Sequence, residues 1–380
     1  MSAALPRLAL AAGLLAAGAR ACATDFDCSL NGVCDASTGE CACDSPWAGS
    51  QCEQLVYAVT PAACKNLWVG PATNDTLNTW NGPILHDAAT DTYHLYDPVY
   101  EHASLWSVLY TAHGVASNIE GPYDFTKYPS IESTASNPGY LIYTNASTGA
   151  PVYTFWLGND ILVSDSAAGP WTRAGANPMP SNTAPAYSKG AFFVTDQSTD
   201  SVITATSLAG PWTPFASIPH KGLQYTVEDP YMWVDPRGNF HVINHAYNTG
   251  QVRGFLATRA RFAFPHSLTP PFLFSFSQRV NCSTSWVSSH FFAASDGKVW
   301  GHTDQPYGHY VSFDDGTWHS FCTLERPSLN FDAASGALTH IHFAADLVTQ
   351  DEGCASRGKG CVDCKYDDHA GTLLVVLGAQ

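Results

Sequence analysis

From about Tyr57 onward, short apolar and aromatic runs alternate with clusters of Gly, Pro, Asn and Asp. The runs span residues 93–96, 107–111, 140–144, 191–195, 202–206 and 241–244. They are rich in β-branched and aromatic side chains on a period of two. Such a pattern predicts strands that send alternate side chains into a core. No stretch holds a helical period over three turns, so the pattern predicts an all-β body.

The turns between these runs repeat. A Gly-Pro-aromatic turn ends the segments 117–123, 166–171 and 207–212. A second element ends in Pro just before a strand, in NGP at 81–83, SNP at 136–138, TAP at 183–185 and EDP at 228–230. Units of about 45–60 residues with four short strands are propeller blades. A fifth unit without that Pro is placed near His290, ending in SFDDGTW at 312–318. The expected fold is therefore a five-bladed β-propeller over residues 56–380, with the apolar end 372–378 closing the first blade. Closure hides the edges an open sheet would expose. Pro is tolerated at a strand's first residue, which places the second element where loops enter the inner strands and line a funnel.

The first 55 residues read differently. Arg7, the apolar run 8–17 and Ala19-Arg20-Ala21 make a secretory signal over residues 1–21. The run is shorter than the ~20 residues a membrane span needs. Residues 22–55 hold Cys22, Cys28, Cys34, Cys41, Cys43 and Cys52 and too little apolar surface to fold without staples. Six further cysteines are scattered at 64, 282, 322, 354, 361 and 364. An even count behind a signal reads as disulfides, and six cysteines alone allow fifteen pairings. Sequons at Asn74, Asn145 and Asn281 predict glycosylation.

Composition narrows the partners. The net charge of −16, with 17 Lys and Arg, argues against a nucleic-acid or anionic-membrane partner. His241 and His245 are not on a helix, and His340 and His342 lack the company of a zinc motif, so no metal or other cofactor is expected.

The run CSLNGVCDASTGECACDSPWAGSQCEQL resembles an epidermal-growth-factor-like module. That resemblance implies the pairs Cys22–Cys34, Cys28–Cys41 and Cys43–Cys52. The acidic ligands of the calcium-binding version are missing before Cys22, so no calcium site is expected, and the module reads as a spacer or stabilising cap. The later stretches NGPILHDAATDTYHLY, SNPGYLIY, VEDPYMWVDPRGNFHVINH and LERPSLNFDAASGALTHIH resemble secreted relatives of the glycoside hydrolase family 43 propellers. The resemblance implies a polysaccharide or oligosaccharide partner and inverting hydrolysis. Such a reaction needs an acid and a base carboxyl roughly 6.5–9.5 Å apart, and the family adds an Asp that tunes the acid.

The family's acids are not all where the resemblance would put them. The residues before the repeated prolines are Gly82, Asn137, Ala184 and Asp229. Only the fourth unit keeps acids, Glu228 and Asp229, the candidate acids; Glu101 is the candidate base. Neighbours on a strand point to opposite sides, so Glu228 and Asp229 can serve one substrate only if the backbone bends between them. Candidate substrate contacts are Trp80 and Trp233 as stacking platforms, Asn81 and Asn137, His245, His290 and His309 near the funnel, and Arg326 as a clamp for a uronic carboxylate. The alternatives are a carbohydrate-binding or adhesion propeller without catalysis, and a polysaccharide lyase.

Overall fold

The computed structural model describes residues 21–56, 77–101, 108–131, 137–219, 226–247, 286–308, 310–312, 318–320, 323–333, 335–346 and 370–376. The signal segment up to residue 20, all six scattered cysteines, His309, Asn74 and Asn281 lie outside them.

The module opens with a 3-10 turn at Asp25–Cys28. Two small antiparallel ladders follow, β1 (Gly32–Asp35) with β2 (Glu40–Cys43) and β3 (Trp47–Ala48) with β4 (Gln54–Leu55). Disulfides join Cys22 to Cys34, Cys28 to Cys41 and Cys43 to Cys52, the pairs the growth-factor resemblance implied.

The rest is a propeller. Its first sheet holds β5 (Leu77–Thr79), β6 (Ile84–Asp87), β7 (Thr92–Glu101) and β8 (Val108–Ala116). The second holds β9 (Gly139–Thr144), β10 (Pro151–Leu157), β11 (Asp160–Ser164) and β12 (Thr172–Ala176). The third holds β13 (Ala184–Ser188), β14 (Ala191–Thr195), β15 (Ser201–Ala205) and β16 (Thr213–Ser217). The fourth holds β17 (Thr226–Val234), β18 (Phe240–Tyr247), β19 (Trp286–Ala293) and β20 (Trp300–Asp304). A hairpin of β21 (Tyr310–Ser312) and β22 (Trp318–Ser320) precedes a sheet of β23 (Thr323–Phe331), β24 (Leu338–Asp346) and β25 (Ala370–Val376).

The described residues thus form four four-stranded sheets where five blades were expected, and the remaining sheet has three strands. The chain end does not close the first sheet. It pairs with β24, from His340↔Val376 to Asp346↔Ala370. The final unit begins not near His290, which lies on β19, but at Arg326-Pro327 on β23, so it does carry the repeated Pro. Residues 248–285 stretch the fourth unit and hide that period from the sequence.

Side-chain cores fill the seams between neighbouring sheets. Tyr96 of the first packs with Tyr153 and Phe155 of the second, and Trp156 of the second with Phe192 and Val194 of the third. Phe193 of the third packs with Phe240 and Phe291 of the fourth. Asn330 Nδ2 on β23 donates to Ile84 O at 3.0 Å, tying the last sheet to the first. Two of the Gly-Pro-aromatic repeats occupy one place, the turn between the third strand and the outer strand of the second and third sheets. Gly169 and Gly210 stand there at φ +87° and +81°, and a Cβ on either would press on the following Trp at 3.1 Å.

The growth-factor-like module is built into this body. Cys28, Trp47, Cys52 and Leu55 share one core with Trp233, Ile243, Leu324 and Phe343 of the last two sheets. Leu55 N–H donates to Pro306 O at 2.8 Å, and the rings of Phe26 and Phe292 meet edge to face at 5.0 Å.

Candidate functional site

The inner strands of three sheets break at the same place. β5 and β6 lie end to end along one edge of β7, with residues 80–83 between them. β17 skips from Glu228 to Tyr231 in its pairing with β18, and β23 skips from Glu325 to Ser328 in its pairing with β24. At each break a non-glycine residue takes the left-handed region: Asn81 at φ +40°, Asp229 at +50° and Arg326 at +51°. Asn182, before the third sheet, does the same at +50°. Asn and Asp tolerate this region better than most residues. Arg326 there is the unusual case and is held by its Nη1 bond to Trp80 O at 2.7 Å.

These breaks carry side chains to the ring's centre. A cleft there is lined by Asn137, Asn182, Asp229 and Arg326, with Pro138, Pro185, Pro230 and Pro327 between them. Its volume is about 30 Å³, room for about two waters, so a larger ligand would extend out of it. Tyr140 and Tyr231 form part of the wall, and both hydroxyls donate to Leu329 O, at 2.9 and 3.0 Å.

Asp229 is the hub. Its Oδ1 accepts from Asn137 Nδ2 at 3.0 Å and from Asn182 Nδ2, which also donates to Gln197 Oε1 at 2.5 Å. Its Oδ2 lies 3.4 Å from His245 Nδ1, while Glu228 Oε2 lies 3.7 Å from His245 Nε2. The left-handed turn at Asp229 is the bend that lets adjacent acids reach one imidazole. Burial and the Asp229 charge push the Glu228 carboxyl up, with His245 opposing. Burial opposes the charged form of His245, but the hydrogen bond and charge of Asp229, with Glu325 and Glu228, outweigh it and raise the imidazole. Donor atoms of Glu228, Asp229 and His245 lie within 4.8 Å of one another, close enough to hold one cation.

The first sheet treats its break differently. Gly82 cannot be exchanged for an acid, because a Cβ there would sit 1.5 Å from Tyr96 O. The side chain at the break is Asn81, and it is spent on closing the ring. Its Nδ2 donates to Arg326 O at 2.5 Å and to His342 O at 3.3 Å, and its Oδ1 meets His342 Nδ1 at 2.7 Å. Burial holds His342 down to about 3. The carboxylate behind this break is Asp97, whose Oδ1 accepts from Gly82 N at 3.1 Å.

Several expected contacts lie elsewhere. Trp233 does not line the cleft: it is buried against His241 and His290, with ring centroids 4.8 and 5.7 Å away. His290 is fully buried beneath the module, stacked on Trp47 at 5.0 Å, and not in the funnel. Trp80 contributes its carbonyl to Arg326. Glu101 ends β7 opposite Leu77, and its side chain lies outside the described set. Asn145 stands half-buried in the β9–β10 turn, its Oδ1 accepting from Ser147 N at 2.9 Å. Sequence reading missed Asn182 because it took Ala184, the residue just before Pro185, as the inward one. The Asn itself, a residue suited to left-handed backbone, was the signal.

The Teneurin-like EGF domain family model matches residues 24–55. No curated protein matches the chain in sequence. Among solved structures, the chain is similar to an endo-arabinase from Bacteroides thetaiotaomicron, at 10% identity over 86% of this chain and 98% of that one, with a TM-score of 0.44. It is also similar to a Penicillium chrysogenum α-L-arabinanase complexed with arabinobiose, at 10% identity over 85% and 96%, with a TM-score of 0.42. A Fusarium graminearum α-L-arabinofuranosidase with an iminosugar inhibitor gives 10% identity over 79% and 92%, and a TM-score of 0.42.

Proposed function

We propose that the chain is a secreted propeller that recognises a polysaccharide or oligosaccharide at its central cleft. The observation that carries this reading is the lining itself: two amides, one carboxylate and one guanidinium converge between four prolines and two tyrosines. Carboxylates and amides accept from sugar hydroxyls, amide and guanidinium N–H groups donate to them, and flat apolar walls take the ring's C–H face. Among the described residues the lining holds one carboxylate, Asp229. The corresponding place in the first sheet is an amide already committed to ring closure. That favours recognition over hydrolysis, which needs two carboxyls on opposite sides of the bond. Secretion is supported by the three disulfides of the module and by the leader-like N-terminus. Among the described residues no helix is long and apolar enough to cross a membrane.

Inverting hydrolysis is the second reading, and one observation favours it. Glu228 has its carboxyl pushed up by burial and by Asp229, as a general acid requires. One experiment separates the two. The purified chain is titrated with plant and microbial polysaccharides by calorimetry, and the same mixtures are assayed for new reducing ends. Recognition predicts saturable binding without product, weakened about tenfold or more in Asp229→Asn, since a hydrogen bond to a charged group contributes about 1.5–3 kcal/mol. Product formation that Glu228→Gln abolishes would establish hydrolysis instead. No binding to any glycan would end the recognition reading.

A further inference from the structure

We propose that the growth-factor-like module is held to the propeller by an acid-sensitive clasp, the buried chain Asp235–His241–His290–Asn31, which opens as the surroundings acidify. Its links run in one direction. Asn31 Nδ2 uses one N–H on Cys52 O at 3.1 Å and faces His290 Nδ1 with the other at 3.4 Å. His290 Nδ1 is therefore an acceptor, and its proton sits on Nε2, 3.0 Å from His241 Nδ1. His241 in turn accepts on Nδ1 and carries its proton on Nε2, 3.5 Å from Asp235 Oδ2. The arrangement is complete only with both imidazoles neutral.

A second proton on His290 breaks it. An Nδ1–H would face the Asn31 N–H. Turning the amide over would set its oxygen against Cys52 O and lose that bond. The ring has no room to move, being stacked on Trp47 of the module and on Trp233 and His241 of the fourth sheet. Phe292 packs at its edge and Thr303 stands opposite it on β20. The charged groups around the chain belong to a second, polar contact. Arg237 reaches Asp44 at 2.7 Å and Asp235 at 3.2 Å, and donates to the carbonyls of Leu30 and Gly32 in the module. Burial holds His290 well below its ordinary value, with His241 adding to the fall, and His241 is lowered by burial against the pull of Asp235. Asp235 stays ionised, its carboxyl brought low by His241 and Asn239 against burial.

The sign follows. An imidazole lowered in the docked state takes up a proton on release. Docking is therefore strongest above the free imidazole value of 6.5 and weakens below it. One such group loosens docking about 30-fold between pH 7.5 and 5.0.

The test is hydrogen exchange on the full chain at pH 7.5 and 5.0, corrected for intrinsic rates. The amide of Leu55, bonded to Pro306 O across the joint, reports module opening, and the amides of β14 serve as reference. The expected result is an opening constant for Leu55 about 30-fold larger at pH 5.0, with β14 unchanged. His290→Phe keeps a ring in the stack and removes this proton, so its Leu55 opening should depend on pH much less than the parent's, with His241 alone left to titrate. Unchanged Leu55 protection in the parent chain overturns the clasp. So does an equal loss in β14, or a His290→Phe chain with the parent's pH response. A thermal melt at pH 7.5 shows whether that variant is folded; if it is not, the parent comparison of Leu55 with β14 decides alone. The outcome is independent of whether the cleft binds sugar.

Discussion

The fourth sheet and the first use the same backbone device for opposite ends. Each breaks its inner strand at a left-handed residue, and each sets a buried histidine against that residue's side chain. In the fourth sheet the residue is Asp229 and the histidine is His245 of the same sheet; in the first the residue is Asn81 and the histidine is His342 of the last sheet. A carboxylate can neutralise a proton on the imidazole and an amide cannot. So His245 is raised despite its burial, while His342 is pressed down to about 3. The amide brings two N–H donors, which Asn81 uses on the carbonyls of Arg326 and His342 to join the last sheet to the first. The carboxylate brings only acceptors, and its two amide partners leave it facing the cleft. One atom's difference, oxygen for nitrogen, divides a closure from a site.

Removing each hub should expose that division. Asp229→Ala strips the nearer carboxylate from a buried His245 and takes away the acceptor of Asn137 Nδ2 and one of the two acceptors of Asn182 Nδ2. Breaking a buried ion pair from one side costs about 3–5 kcal/mol. Asn81→Ala leaves neutral groups unpaired and should cost about 1–3 kcal/mol. Urea midpoints at pH 7 check the order. A cheaper Asp229→Ala would mean that the fourth-sheet pair is not charged.

A sharper probe exchanges the chemistry. Asn81→Asp sets a carboxylate oxygen against the two carbonyls that now receive N–H groups, and should cost about 2 kcal/mol at pH 8. It also gives His342 a negative partner. The imidazole, now below its unfolded value, should rise above it. A raised imidazole stabilises below the unfolded value near 6.5 and loses that contribution as pH climbs through the folded value. The present depressed imidazole does the reverse, withholding stability as pH falls below 6.5. The variant's deficit should therefore shrink between pH 8 and pH 5, read from paired unfolding curves. A deficit that grows on acidification would show that His342 stays neutral and that the amide–carboxylate contrast does not set its charge.

The sequence made the strands, the repeated turns and the module's disulfide frame legible because these are local. Alternation, Gly-Pro turns and dense cysteines act within a few dozen residues. What it hid depends on distance. Asn31 and His290 meet across 259 positions, and no nearby pattern announces that a spacer-like module would share a core with the fourth sheet. His290 and Trp233 looked like funnel residues because they sit beside repeat landmarks. They prove to floor the module's seat instead. Counting from the proline obscured the residue before the third sheet: Ala184 stands next to Pro185, while backbone conformation selects Asn182. Asp229 and Asn137, adjacent to their prolines, were legible for the same reason.

The smallest effect asks whether the cleft wall is shared by both regions. Tyr140 of the second sheet and Tyr231 of the fourth donate to one carbonyl, Leu329 O of the last. Burial pushes Tyr231 up to about 12 and Tyr140 well above its ordinary value, so both remain donors at any working pH. Tyr140→Phe leaves the carbonyl one donor and should cost about 1 kcal/mol, as should Tyr231→Phe. The double variant leaves it with neither, so its cost should exceed the sum of the two by about 0.5 kcal/mol or more. Three urea titrations close that cycle. Simple additivity would mean that each hydroxyl is replaceable by water from the cleft, and that the wall is wet there rather than a dry joint between sheets.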